Sequence, residues 1–359
     1  MRWALIWAGC ALPMACRSVE QGTGETQAAA VEAEPKTPPR GIANRLVDVR
    51  CWAVQLQGLD RPGARAALTA CRFDLLVIEP MVSVRGQESF PIAEFVRELH
   101  GTRGTAAAAK RVLAYVNVGQ AEAYRSYWKD DWVVPGEDHA GEPDFLLAAD
   151  PEGWQGNYPV AWWDARWQEV LFGTPASLID QALAAGFDGL FLDWVLGFEE
   201  PAVAAAARAQ GLQPAQAMAD LLARLRVYAR ERDPEFLLVA QNAGYLFAQV
   251  PEVAEAIDAV SHEDLSFRGR AVSQWDHPEA GGLPVPAAER ESLSHLLLAL
   301  GQRGVVLLTL DYALTPADRD VAIANSRRIG AIPCVSRTAL NQLPEWPAAV
   351  FATPPAGPR

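Results

Sequence analysis

From about residue 50 onward, short runs of apolar and β-branched residues alternate with longer segments whose apolar positions recur every three or four residues. The pattern predicts strands over 52–55, 75–79, 112–118, 189–193, 236–241, 259–262, 305–310 and 331–335. Helical periodicity fills the intervals, most clearly over 175–185, 201–231, 287–303 and 316–329. Near-continuous apolar strands, each followed by a helical stretch, are the mark of a parallel sheet covered on both faces. Eight such units in roughly 300 residues predict an α/β chain with a single (β/α)8 TIM barrel. A doubly wound open sheet is the rival. It usually carries a glycine-rich phosphate turn after its first strand, and Gln55-Leu56-Gln57-Gly58-Leu59 is not one.

The chain before the barrel reads differently. Met1-Arg2 gives a positive start, and 3–15 is an apolar run of signal-peptide length, too short to span a bilayer, which takes about 20 apolar residues. It stops at Leu12-Pro13-Met14-Ala15-Cys16, which resembles a bacterial lipobox with Cys16 as the lipidated residue. Residues 17–44 are polar, rich in Ala, Glu, Thr and Pro, and lack apolar periodicity, the composition of a flexible linker. The expected organisation is therefore a signal peptide over 1–16, a linker over 17–44, a barrel over 45–345 and a Pro-rich tail over 346–359. The expected location is the bacterial cell envelope, through a lipid anchor, or the medium if the leader is simply cleaved.

Charge narrows the function. Among 359 residues, 31 Lys+Arg stand against 44 Asp+Glu, a net −13. Loss of Arg2 with the leader makes it −13 − 1 = −14. With a pI near 4.9 and no basic stripe, a nucleic-acid partner is disfavoured, because phosphate contacts need clustered Lys and Arg. Five His and five scattered Cys show no metal-ligand spacing, so no metal site is expected. Past the leader only Cys51, Cys71 and Cys334 remain; a Cys51–Cys71 disulfide and buried free thiols are both open. Neither a Gly-x-Ser-x-Gly elbow nor a P-loop occurs.

In a TIM barrel the active site lies at the C-terminal ends of the strands. Those ends read Glu79-Pro80, Asn117 to Glu122, Asp193-Trp194, Gln241-Asn242, His262-Glu263-Asp264 and Asp311-Tyr312. Carboxylates and amides thus crowd one rim. Paired carboxylates suit glycosidic cleavage, where one stays protonated to assist the leaving oxygen and the other stays ionised. Asp193, driven to the rim by an apolar strand, is the candidate nucleophile, and Glu263 the candidate acid/base. Glu79 and Asp311 are candidate contacts to sugar hydroxyls or a sugar amine. Six of the 12 tryptophans fall between Trp128 and Trp167, in the long segment after the third strand. Some could stack on sugar faces, though most are expected to pack that segment against the barrel. Strand alternation points His262 away from the cleft.

Taken in order, several blocks resemble glycoside hydrolase family 114, the endo-α-1,4-polygalactosaminidase-like barrels. They are Tyr115-Val-Asn-Val-Gly-Gln-Ala-Glu122 with Tyr124-Arg125 and Tyr127-Trp128, then Gly156-Asn157-Tyr158 with Trp163-Asp164. Gly186-Phe187-Asp188-Gly189 with Leu192-Asp193, Gln241-Asn242 and His262-Glu263-Asp264 follow. The resemblance spans about residues 45 to 340. It implies a secreted or anchored endo-acting hydrolase of α-1,4-linked galactosamine or N-acetylgalactosamine polymers, with Asp193 and Glu263 as the catalytic pair. A retaining mechanism, with carboxyls about 5–5.5 Å apart, is the expectation. Gln120, Glu122, Tyr124, Trp128, Tyr158, Trp163 and Asn242 are the candidate substrate contacts in these blocks. Gln120 departs from the Glu that many relatives carry, which removes one rim charge.

Glu79, Glu122, Asp193, Glu263 and Asp311 on one rim would form an acidic cleft suited to a partly deacetylated, cationic polymer. Two other functions remain open from the sequence: a non-catalytic glycan-binding lipoprotein, and a hydrolase of a different α-glycoside. The proposed hydrolysis needs no cofactor. The expected partners are a polysaccharide or oligosaccharide and, through the anchor, a membrane.

Overall fold

A computed structural model describes residues 46–352, apart from Ala107 and Glu137. The expected signal peptide with Cys16, the linker 17–44 and residues 353–359 lie outside the described residues.

Eight parallel strands form a nearly closed barrel: β1 (Trp52–Gln55), β2 (Leu75–Ile78), β3 (Arg111–Asn117), β4 (Gly189–Asp193), β5 (Leu237–Gln241), β6 (Ala259–Glu263), β7 (Val306–Tyr312) and β8 (Ile332–Ser336). Each is hydrogen-bonded to the next in chain order. The ring comes together between β1 and β8, where the Trp52 indole N–H donates to the Ile332 carbonyl at 3.0 Å. Beyond the strands, the Leu56 N–H donates to the Leu340 carbonyl at 2.8 Å.

The helices are α1 (Ala64–Ala70), α2 (Ile92–His100), α3 (Ala165–Leu171), α4 (Leu178–Ala185), α5 (Pro201–Ala209), α6 (Pro214–Arg230), α7 (Ala243–Gln249), α8 (Ala287–Gln302), α9 (Pro316–Arg328) and α10 (Ala348–Ala352). The single helical stretch expected over 201–231 is two helices. Gly211 sits at φ 75, in the left-handed region that ends a helix, and Pro214 then starts the second.

Alternation along the strands divides two cores. Trp52, Val54, Leu75, Val77, Leu113, Phe191, Leu237, Val239, Leu308 and Leu310 point into the lumen. Leu76, Ile78, Val112, Ala114, Leu190, Leu192 and Val260 point outward into the larger core that includes helix residues such as Phe95 and Leu222. Burying each large side chain stabilises the fold by roughly 1.5–3 kcal/mol before ordering entropy is counted. This is why nearly uninterrupted apolar strands were needed. Cys51, Cys71 and Cys334 are free thiols, and Cys334 packs in the lumen. The compact domain runs past 345, because Trp346 and Phe351 pack edge-on against Phe73, each with ring centroids 5.3 Å away.

Candidate active site

Three consecutive strands end the same way. β4 finishes at Asp193, β5 at Gln241 and β6 at Glu263, and the next residues, Trp194, Asn242 and Asp264, have φ of 61, 57 and 59°. A left-handed residue turns the chain sharply away from the barrel. Asn and Asp tolerate that conformation, whereas a bulky Trp there is strained by about 1–2 kcal/mol. Asp193 follows Phe191, Gln241 follows Val239, and Glu263 follows Ser261 at a two-residue step, so all three point inward at the C-terminal mouth.

Room for the Trp194 turn comes from Gly119. A Cβ on Gly119 would lie 2.5 Å from the Trp194 carbonyl oxygen.

Both carboxylates are held by donors. The Tyr115 hydroxyl donates to Asp193 Oδ2 at 2.6 Å, and the Trp194 N–H to Oδ1 at 2.7 Å. The Tyr312 hydroxyl donates to Glu263 Oε1, and Asn242 Nδ2 donates to Oε2 at 3.2 Å. Asn242 Oδ1 in turn accepts from the Glu263 N–H at 2.9 Å. Asn242 therefore clamps the residue it was expected to share a substrate with. Burial, and then the charge of Glu263, push Asp193 up to about 7, against the pull of the Tyr115 bond. Burial also raises Glu263, partly opposed by Tyr312, Asn242 and Gln241. Burial thus opposes the ionisation of both carboxylates, and for Asp193 the charge of Glu263 adds to it.

Glu79 and Glu122 behave otherwise. Arg125, 1% exposed, donates to Glu79 through Nη1 and to Glu122 Oε2 through Nε at 2.7 Å. The Tyr124 hydroxyl donates to Glu122 Oε1, and Arg125 Nη1 also reaches Ser83 Oγ at 2.7 Å. Both carboxylates are buried and share one guanidinium, and the charge of Glu122 still helps to raise Asp193. Gln120 is also buried; its Nε2 donates to Asp150 Oδ2 at 2.5 Å, while its Oε1 accepts from Asn117 at 3.0 Å. A Glu in its place would oppose Asp150 with a second carboxylate.

Asp311 departs from the expectation of a rim contact. The strand expected to end at 310 continues to Tyr312, and alternation turns Asp311 outward, where its Oδ1 accepts the Ser266 and Phe267 N–H groups at 2.6 and 2.9 Å. The neighbouring Tyr312 takes the inward position. His262 also points outward as expected and packs against Tyr245, and burial lowers it to about 4.

The aromatic segment mostly packs on itself. Trp162 and Trp167 are fully buried, and Trp167 Nε1 donates to the Val118 carbonyl at 3.0 Å. Trp128 lies 5.0 Å from Trp132 and 5.4 Å from Tyr158 between ring centroids. Trp163 donates to Gln210 Oε1 at 3.1 Å. Of the aromatic candidate contacts, Tyr124 is the most open, at 41% exposure.

Sequence reasoning did not single out Tyr115, Tyr312, Gln241 or Trp194 as site residues. Alternation could have found the first three, each two residues beyond an inward apolar neighbour. Nothing in the pattern announces the left-handed Trp194. Burial and the charges of Glu263, Asp150 and Asp193 raise Glu152, in the loop 150–156, to about 7.

The family model for glycoside-hydrolase family GH114 matches residues 26–343. An uncharacterized protein of Deinococcus radiodurans is 30% identical over 339 residues, covering 94% of this chain and 96% of that one. An uncharacterized protein of Thermotoga maritima is 28% identical, covering 80% and 81%. Among solved structures, the glycoside hydrolase domain of PelA from Pseudomonas aeruginosa is similar at TM-score 0.53 and 21% identity, covering 82% of this chain and 96% of that chain. Ega3 of Aspergillus fumigatus, in complex with galactosamine, is similar at TM-score 0.55 and 14% identity, covering 83% and 95%.

Proposed function

The chain belongs to glycoside-hydrolase family GH114, and on that premise we propose that it hydrolyses α-1,4-linked galactosamine and N-acetylgalactosamine polymers, endo-acting and with retained configuration. The observation that carries this is the pairing of Asp193 and Glu263. Both face inward at the mouth, each is held by a tyrosine hydroxyl, and burial opposes the ionisation of each. Galactosamine bound to Ega3 supports the sugar class. The leader pattern ending at Cys16 supports secretion or lipid anchoring.

In this mechanism the glycosidic bond lies between the two carboxylates. Glu263 gives its proton to the leaving oxygen as Asp193 attacks the anomeric carbon, forming a glycosyl ester and releasing one chain end. Glu263, now ionised, takes a proton from water, the hydroxide attacks the same carbon, and Asp193 leaves as carboxylate. The positive charge that develops at the anomeric carbon favours ionised Asp193, while Glu263 holds the proton that the leaving oxygen takes. Tyr115 and the Trp194 amide hold Asp193 for that attack.

The test is to incubate the purified protein with partly deacetylated α-1,4-galactosaminogalactan and analyse released oligosaccharides by mass spectrometry. Oligosaccharides from the parent, and none from Asp193→Asn or Glu263→Gln, are expected. Binding without cleavage would make the protein a glycan-binding barrel instead.

A further inference from the structure

The loop 264–286, between β6 and α8, begins at the residue after Glu263 and is anchored at both ends on the neighbouring strand β7. Near its start the Ser266 and Phe267 N–H groups donate to Asp311, and Phe267–Arg268 pairs antiparallel with Leu283–Pro284. Near its end the Gly282 N–H donates to the Tyr312 carbonyl at 2.8 Å. Tyr312 is also the residue whose hydroxyl donates to Glu263. The loop therefore rises from the rim beside the acid/base.

Its middle is pinned by the segment that follows β8. The Thr338 N–H donates to the Ala280 carbonyl at 3.0 Å, and Asn341 Nδ2 to the Ser273 carbonyl at 3.0 Å. Arg337 Nη1 donates to the Trp275 carbonyl at 2.7 Å and to Asp276 Oδ1 at 2.8 Å. The same guanidinium lies over the Trp275 ring, 5.3 Å from its centroid, and so fixes the plane of the indole. Trp275 is nonetheless only half-buried. Among the described residues no aromatic ring packs on it, and its indole N–H has no protein acceptor. The tryptophans after β3 are differently placed: Trp162 and Trp167 are buried, Trp128 and Trp132 pack on each other, and Trp163 donates to Gln210.

A half-exposed indole held rigid, with a free N–H, offers an apolar face for the C–H surface of a sugar and a donor for its oxygens. Because Asp276 meets the charge of Arg337, that recognition is by stacking and not by charge. Arg337 follows β8, two strands round the barrel from β6, so Trp275 stands to one side of the catalytic pair and not between its members. We propose that Trp275 is the stacking platform of a distal subsite, holding a pyranose unit of the polymer away from the bond that is cleaved. This rests on the reading of the protein as a hydrolase of a sugar polymer, and it names where a further unit of that polymer is gripped.

The test is steady-state hydrolysis of partly deacetylated α-1,4-galactosaminogalactan, split into a long-chain and a short-chain fraction. The full chain is compared with Trp275→Ala, Trp275→Leu and Trp275→Phe. Loss of a contact made equally in the ground and transition states raises KM and leaves kcat alone. In Trp275→Ala, KM for the long fraction should rise about tenfold, the size of one lost stacking contact, and stay at the parent value for the short fraction. Trp275→Leu fills the space without an aromatic face and should match Trp275→Ala, whereas Trp275→Phe should recover most of the loss. Should Trp275→Ala fail to fold, the last two variants carry the same comparison. An unchanged KM on long chains, or recovery in Trp275→Leu as complete as in Trp275→Phe, overturns the platform and leaves the hydrolase reading intact. A fall in kcat with KM unchanged overturns it too, because the loop would then act through Tyr312 on Glu263. A parent that neither binds nor cleaves either fraction overturns the hydrolase reading and the platform together.

Discussion

Tyr115 on β3 donates a 2.6 Å hydrogen bond to Asp193 on the adjacent β4. The register pairs Tyr115 with Phe191, so the phenol reaches two residues further along to meet the carboxylate that closes the strand. Tyr312 makes the matching bond to Glu263 across from β7 to β6. Each member of the pair thus has its own tyrosine, whose hydroxyl orients the carboxylate and partly opposes the rise that burial imposes.

Tyr115→Phe removes a bond that favours ionised Asp193. Asp193, which attacks in its ionised form, should then hold its proton to a higher pH, moving the acidic limb of the kcat/KM profile upward from near 7. A loss of about tenfold in kcat/KM is expected, corresponding to about 1.4 kcal/mol. A pH–rate series on parent and variant measures both effects. An unmoved limb together with unchanged kcat/KM would remove Tyr115 from the site.

Asp193 also leaves a signature in stability. Its carboxyl is raised to about 7 in the folded chain, above its ordinary value of 3.8, so the unfolded chain ionises it more readily. Stability from this group is fully present below about pH 3.8 and is lost as pH rises through about 7. Asp193→Asn should therefore unfold later than the parent at pH 8, by about 1–3 kcal/mol, and match it near pH 4. Urea titrations at the two pH values read this difference. His262, lowered to about 4, slopes the other way between about 6.5 and 4 in both proteins and cancels in the comparison.

Removing the cation beneath the mouth should be severe. Arg125→Met leaves Glu79 and Glu122 buried without their shared partner. Stability should fall by about 3–5 kcal/mol, read from the urea midpoint. A variant as stable as the parent would mean that the two carboxylates find other partners.

Gly119→Ala tests the turn behind the nucleophile. The added Cβ would meet the Trp194 carbonyl at 2.5 Å, too close for real contacts, and backbone cannot yield as a flexible side chain does. The variant should lose activity more than its thermal midpoint alone predicts, because the shift falls directly on the residue after Asp193. Parallel melting curves and rates decide this.

Much of this architecture is legible in residue order, because buried parallel strands must be apolar along their whole length. The strands over 52–55 and 189–193 fall where the pattern puts them, and the carboxylates at 193 and 263 stand at strand ends. Less legible was how far each strand runs. β7 extends two residues beyond the apolar run, so the inward residue is Tyr312 and Asp311 faces the helices. A one-residue change of phase exchanges the two faces completely. Pairing was also hidden: nothing in the spacing of Glu79, Glu122 and Arg125 shows that one guanidinium serves two carboxylates. Glu152 lies in a loop with no periodicity, held by hydrogen bonds from backbone amides that sequence does not display.

The central claim is the division of labour between Asp193 and Glu263, and azide rescue of Asp193→Ala and Glu263→Ala tests it most directly. Azide replaces a missing nucleophile from the opposite face, whereas in an acid/base variant it attacks the glycosyl ester that the nucleophile has already formed. The account predicts that Asp193→Ala yields a β-glycosyl azide and Glu263→Ala an α-glycosyl azide, seen by NMR. The reverse pair of anomers, or full activity in either variant without azide, would contradict it.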